Sequence, residues 1–369
     1  MVKSRLRGCA GNLLLLALSL LFACAVAEIY LRWFRPQPLE AAYVWPDGTL
    51  RHLPSFTFRY TRTGFSNLVR FNSLGLRGPE VAESKRPGIP RVLFLGDSFV
   101  EGKQVAESEV LTSVLEQAAA AAGRRIEVIN AGVSGYGTGE ELILWERLGR
   151  SLQPDLVLLG FYPNDVRNNA DRRLFELRDG QVVPIKDAPL PNVRWIYDLR
   201  KTLASRSHLY MLIKQGLDAS RTTRAGGDQT PMEAEEVFAR DPSPKVAGGW
   251  GLTLALLDAL RAKVEADGAR FAIILFPTRF QVDDSLWRSH AQRNRLDVDE
   301  YDLMLPQRQL AAWSAASGAT LIDLLDVFRA ANRSNRFYHI VDAHWNPDGH
   351  RLAAETIWTE LTSRGLIAP

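Results

Sequence analysis

Four short groups in this sequence carry residues able to break an ester bond. Gly96-Asp97-Ser98-Phe99 offers a hydroxyl. The glycine-rich run Asn130 to Gly137 offers backbone N–H groups, with Gly135 free of a shielding Cβ. Tyr162-Pro163-Asn164-Asp165 offers a side-chain amide, and Asp342-Ala343-His344-Trp345-Asn346 offers a carboxylate and an imidazole two positions apart. Attack on an acyl carbon needs a nucleophile, a base for its proton, a carboxylate to orient that base, and donors for the developing oxyanion. Ser98 fits the first role, His344 the second and Asp342 the third. The Ser98 and Gly135 amides and the Asn164 side chain fit the last. Singly, each group reads as a turn or a helix cap. Together they match one reaction.

The elements needed to gather them are legible. Val92-Leu93-Phe94-Leu95, Ile126 to Ile129, Leu156 to Phe161, Phe271 to Phe276 and Thr320 to Leu325 are short apolar runs. Helical patterns separate them, over about 110–122, 140–152, 252–266 and 299–316, and a last helix follows from Pro347 to about Ser363. Strands alternating with helices predict a parallel sheet covered on both faces. Ligands bind such sheets at the carboxyl ends of the strands, where the four groups fall.

In order and spacing, these groups resemble the SGNH (GDSL-type) hydrolases, named for Ser, Gly, Asn and His in separate blocks. Block I is Gly96-Asp97-Ser98, block II ends at Gly135, block III holds Asn164-Asp165, and block V is Asp342 with His344. The likeness runs from about Arg91 to the C-terminus and leaves 166–245 unmatched. Asn72-Ser73-Leu74-Gly75-Leu76-Arg77 is similar to a segment ahead of block I in membrane-anchored bacterial members. The resemblance implies an α/β fold, with a flavodoxin-like parallel sheet between helices. It also implies an acyl-enzyme at Ser98, an oxyanion hole from Ser98, Gly135 and Asn164, and no cofactor. Asp97 is expected to brace its turn.

There are two departures. Block III usually has Gly two places before its Asn, and Tyr162 here is expected to narrow the pocket. Block V usually reads Asp-x-x-His. The shorter Asp342-Ala343-His344, with Trp345, is similar to the Asp-x-His-Trp pattern of alginate-type polysaccharide O-acetyltransferases. The expected function is therefore a serine esterase acting on O-acyl, chiefly acetyl, groups of a cell-envelope or extracellular glycan. The alternatives are O-acetyl transfer to a polysaccharide hydroxyl and a non-catalytic glycan-binding scaffold.

Composition bounds the rest. The 369 residues are 46% hydrophobic and 24% charged, which excludes a disordered chain. Scattered basic residues and a net charge of +3 give no footprint for nucleic acid. The 2 cysteines, Cys9 and Cys24, both lie in the N-terminal apolar segment, so no disulfide framework or Cys-based zinc site exists beyond it. His339, Asp342, His344 and His350 form a rival metal set, but no Cys or Glu reinforces it.

Residues 1–8 read as cytoplasmic, 9–31 as a transmembrane anchor, 32–88 as a stalk and extension, and 89–369 as the hydrolase-like domain with insertion 166–245. Lys3, Arg5 and Arg7 ahead of the apolar stretch place the N-terminus in the cytoplasm. The reading is a single-pass inner-membrane protein with its domain on the periplasmic or extracytoplasmic side. Two competing readings, a signal peptide cleaved at Ala25-Val26-Ala27 and a lipoprotein at Cys24, export the domain equally. In the insertion, one helix near Leu203 to Leu217 and an apolar face from Trp195, Tyr197, Tyr210 and Met211 suggest a lid or acceptor platform. Alternation at Phe56, Phe58 and Tyr60 predicts a half-buried strand.

Overall fold

The computed structural model describes residues 2–37, 39, 42–44, 49–185, 194–225, 235–331, 336–340 and 342–367. In chain order the elements begin with α1 (Val2–Phe34), β1 (Ala42–Val44), β2 (Leu50–His52), β3 (Thr57–Arg62), β4 (Phe65–Arg70), β5 (Arg91–Gly96) and α2 (Ser98–Glu101). Next come α3 (Leu111–Ala121), β6 (Glu127–Gly132), α4 (Thr138–Arg147), β7 (Leu156–Phe161), α5 (Asp165–Arg172), β8 (Phe175–Arg178) and β9 (Gln181–Pro184). Then follow α6 (Arg194–Arg206), α7 (His208–Ala225), α8 (Pro244–Ala266), β10 (Arg270–Leu275), α9 (Arg279–Val282), α10 (Asp284–Asn294) and α11 (Leu305–Ser317). The chain closes with β11 (Thr320–Asp323), α12 (Leu325–Ala331), β12 (Tyr338–His339), β13 (Asp342–Trp345) and α13 (Pro347–Ser363).

Two compact units result: Met1–Tyr43 with Leu190–Gln229, and Val44–Pro189 with Thr230–Pro369. The larger is built on five strands in the order β11-β10-β7-β5-β6. Every pairing among them is parallel. In sequence the chain lays down β5, crosses to β6 on one side, then to β7 on the other. That reversal is the switch point at which flavodoxin-like sheets bind ligands.

Alternate strand residues feed two cores. Leu93, Leu95, Val157, Leu159, Ile273 and Leu275 pack with α4, α8 and α11 on one face. Val92, Phe94, Leu156, Leu158, Ala272 and Ile274 pack with α3, α12 and α13 on the other. Both faces are covered, which is why these strands read as unbroken apolar runs.

Where the observed elements differ from the sequence reading, the reasons are local. α8 starts at Pro244 rather than Leu252, capped by the Ser243 hydroxyl. Gly248, Gly249 and Gly251 hide that first half, because glycine is a poor helix former. Close packing overrides the propensity: a Cβ on Gly249 would meet the Val166 carbonyl at 2.8 Å. The insertion holds α5, the β8–β9 hairpin and two helices, α6 and α7, where one was expected. The side chains of Trp195 and Tyr197 lie outside the described residues. The predicted strand at Phe56 to Tyr60 is β3, paired antiparallel with β4. From Val44 onward the extension belongs to the larger unit. Arg77, 4% exposed, shows how firmly: its guanidinium donates to the Glu101 and Val105 carbonyls.

Candidate active site

Ser98 opens α2 directly after β5. The turn between them is tight. Gly96 has φ +155°, and a Cβ there would stand 2.4 Å from the Val100 side chain, so only glycine fits. Asp97 caps α2 by accepting the Phe99 N–H at 2.9 Å.

The far end of this one-turn helix holds the next block. Glu101 is fully buried and accepts both the N–H (2.8 Å) and the hydroxyl of Ser134, next to Gly135. Its other oxygen pairs with His52 Nε2 at 3.0 Å and Lys103 Nζ at 3.2 Å. Gly135 has φ +79°. Among the described residues, the N–H groups of Ser98 and Gly135 enter no hydrogen bond. Asn164 follows β7 at the head of α5, is 7% exposed, and its Oδ1 has no hydrogen-bond partner.

β13 carries Asp342 and His344. Side chains at i and i+2 of a strand share a face, so the shortened Asp-x-His spacing still joins the pair. Asp342 Oδ1 bonds to His344 Nδ1 and also accepts the His344 N–H at 3.0 Å. His344 Nε2 is buried without a hydrogen-bond partner. The imidazole lies 5.0 Å, centre to centre, from the ring of Phe99, the neighbour of Ser98. Trp345 wedges β13 in place, 5.1 Å from Phe99 and 4.7 Å from Phe276.

The electrostatics divide the site. Burial pushes the Asp342 carboxyl up, but the hydrogen bonds and charge of His344 outweigh it and hold Asp342 below the usual carboxylate range. Burial likewise opposes ionisation of Glu101, yet Lys103, His52 and Ser134 hold it well below that range. Beneath Ser98 the balance reverses. Asp97, Glu141 and Asp165 are all 0% exposed. Burial raises Asp97 to about 6, against the pull of the Phe99 amide and His344. Burial and mutual repulsion push Glu141 and Asp165 well above the ordinary range. Glu140, at the edge of this cluster, is raised by burial to about 7. Buried like charges this close cannot all ionise.

Tyr162, expected to narrow the pocket, is fully buried and stacked on Phe99 at 4.3 Å, so its bulk packs against α2. His350 accepts the Leu111 N–H at Nδ1 (3.2 Å), and burial with the nearby Arg77 charge holds it down to about 3. It is a neutral acceptor beneath α3. Among the described residues, no three His, Cys, Asp or Glu side chains form a metal-holding group. A cleft of about 650 Å³ lined by Lys85, Pro90, Arg124 and Arg270 lies at the amino ends of the strands, away from all of these groups.

The sequence profile of the GDSL-like lipase/acylhydrolase family matches residues 94–352, which span Ser98, Gly135, Asn164, Asp342 and His344. The chain belongs to that family. This acylhydrolase is an ester-hydrolysing enzyme with the SGNH-hydrolase fold. Its fold is similar to that of a lipase/acylhydrolase from Enterococcus faecalis (16% identity, 75% of this chain and 97% of that one, TM-score 0.41). It is similar also to an acetyl xylan esterase, AlAXEase (15% identity, 73% of this chain and 99% of that one, TM-score 0.42). No curated protein matched the acylhydrolase.

Sequence reasoning missed Glu101, His52 and the buried Glu141–Asp165 pair. Glu140-Glu141 reads as ordinary acidic residues in the first turn of a helix. The one available signal was the apolar setting of Glu101, which follows Phe99-Val100.

Proposed function

We propose that this acylhydrolase is a serine esterase acting on small O-acyl groups, chiefly acetyl, of a cell-envelope or extracellular glycan. The observation that carries the reading is the Asp342–His344 pair. Its Nδ1 is engaged and its Nε2 is buried and unpartnered, beside the helix that Ser98 begins.

Ser98 Oγ attacks the acyl carbon and yields its proton to His344 Nε2. Asp342 holds the tautomer with hydrogen on Nδ1 and stabilises the imidazolium. The Ser98 and Gly135 amides and the Asn164 side chain receive the oxyanion, each such donor lowering the barrier by about 3 kcal/mol. The carbon–oxygen bond to the alcohol breaks, and the alcohol leaves with the proton from Nε2. Water repeats the sequence in reverse roles, giving its proton to Nε2 and releasing the acid from Ser98. Ser98 and Asn164 are each 7% exposed and His344 8%, which suits an acetyl group better than a long chain.

The short Asp342-Ala343-His344-Trp345 spacing favours a second reading, in which a sugar hydroxyl replaces water as the final acceptor. Mass spectrometry of products from an acetyl donor, with and without a glycan, separates the two. Free acetate alone supports hydrolysis; acetylated glycan supports transfer. Neither product from the native chain would refute both.

We also read α1 as a membrane anchor. Its Leu15–Phe34 segment is 20 residues of mean hydropathy 1.9, long enough to span a bilayer. Retention of the full-length mass in isolated membranes tests this against cleavage after Ala27.

A further inference from the structure

The smaller unit holds an apolar face that an anchor alone does not require. On α7, positions 209, 212, 213, 216 and 217 recur at the spacing of one helical stripe. Leu209 is half-buried, while Leu212, Ile213 and Leu217 are 44%, 55% and 55% exposed. The opposite side of the same helix is packed, with Met211 only 4% exposed. On α6, Leu199 is 48% exposed.

A second observation shows where this stripe is held. The apolar segment of α1 contains Glu28 and Arg32, and both engage the elbow between α6 and α7. Glu28 accepts the N–H groups of His208 (3.0 Å) and Leu209 (2.9 Å) and the Ser207 hydroxyl (2.9 Å). Arg32 donates to the Arg206 carbonyl at 2.9 Å and pairs with Glu28 at 3.2 Å. The anion thus sits at the start of α7 and the cation at the end of α6, the arrangement that helix dipoles favour. Helix ends leave N–H and C=O groups unpaired, and next to hydrocarbon those groups need partners from the protein. Tyr30, Trp33 and Phe34 stand on α1 at the same level, 52%, 77% and 73% exposed, where interfacial aromatics belong.

We propose that α6–α7 is a second membrane-contact element. The Leu209–Leu217 stripe inserts into the lipid–water interface of the leaflet from which α1 emerges, held at that depth by Glu28 and Arg32. The stripe is continuous in sequence with no span: nine residues of helix rise about 13 Å, against about 30 Å of hydrocarbon. It therefore lies in the interface and does not cross. The inference rests on the reading of α1 as an anchor.

The test uses the full chain in vesicles of phosphatidylethanolamine and phosphatidylglycerol. In a background of Cys9→Ser and Cys24→Ser, single spin labels are placed through Leu20→Cys, Leu212→Cys, Ile213→Cys and Arg293→Cys. Collision with oxygen, which concentrates in lipid, is compared with collision with a water-soluble nickel chelate. The expected oxygen-to-nickel ratio is several-fold higher at 20, 212 and 213 than at 293. Adding Glu28→Gln is expected to lower the ratio at 212 and 213 and leave 20 unchanged. A lipid-like value at 20 with water-like values at 212 and 213 overturns this inference alone. Shelter from both reagents at 212 and 213 overturns it in favour of a protein partner. A water-like value at 20 overturns the anchor reading, and this inference with it. An unchanged ratio in Glu28→Gln removes Glu28 from its holding role.

Discussion

At the scale of single residues, the site depends on opposite treatment of its carboxyls. Asp342 is kept ionised by His344, and it fixes which imidazole nitrogen carries hydrogen. Asp342→Asn keeps the shape and reverses the hydrogen-bond polarity. We expect kcat for a small acetyl ester to fall by about 10³–10⁴-fold, with the thermal midpoint little changed; an undiminished kcat removes Asp342 from the mechanism. Glu141 and Asp165 behave oppositely, because burial and repulsion raise both. A raised carboxyl keeps a proton that the unfolded chain releases. Native stability therefore falls as pH rises from the ordinary carboxylate range toward the folded pKa. Glu141→Gln removes that loss. We expect it to stabilise the protein at about pH 8 by about 1–3 kcal/mol and much less at about pH 5. Urea unfolding at the two pH values measures the difference.

At the scale of elements, α2 links two blocks through its ends, Ser98 and Glu101. Glu101→Gln keeps one acceptor but loses the charge that pairs with His52 and Lys103. We expect a stability loss of about 2–4 kcal/mol and a lower kcat, as Ser134 no longer holds Gly135. Because Glu101 is held low, its stabilisation in the native protein is present above the ordinary carboxylate pKa and fades as acidification approaches its folded value. The variant should therefore be the less acid-sensitive of the two, which unfolding curves across acidic pH check. A second element-scale test is Gly132→Ala. A Cβ there would stand 2.2 Å from the Glu101 amide nitrogen, so β6 and α2 must separate. The expected result is a strong fall in the thermal midpoint together with lost activity.

Elements were legible in the sequence where burial is simple. The central strands are apolar on both faces, so β5, β7 and β10 stand out as unbroken runs. The start of α8 did not, because Gly248, Gly249 and Gly251 carry no helical signal, and of the three only Gly249 packs against α5. The Asp342–His344 pair was read from the order of the four groups and the needs of one reaction; that both stand on a strand, β13, was not. The acids beneath Ser98 were not, since a buried Glu141 and an exposed glutamate look alike in a sequence.

At the scale of the whole molecule, the extension from Val44 is part of the larger unit. The sequence separated it as a stalk because its short strands lack a long apolar run. Its hold is both apolar, through buried Val69, Phe71 and Leu76, and polar, through buried Arg77 on the Glu101 and Val105 carbonyls and buried His52 on Glu101. Arg77→Ala leaves those carbonyls without their donor. We expect about 3–5 kcal/mol of destabilisation, as for other broken buried charge contacts, with the loss seen in the unfolding midpoint of the full chain.

The proposed chemistry requires Ser98 to be the group that becomes acylated through His344. A serine-directed phosphonate, followed by peptide mass spectrometry, reads this directly. The adduct is predicted on the peptide containing Ser98, with labelling absent in Ser98→Ala and strongly slowed in His344→Ala. An adduct on another residue, or equal labelling in Ser98→Ala, would contradict the account.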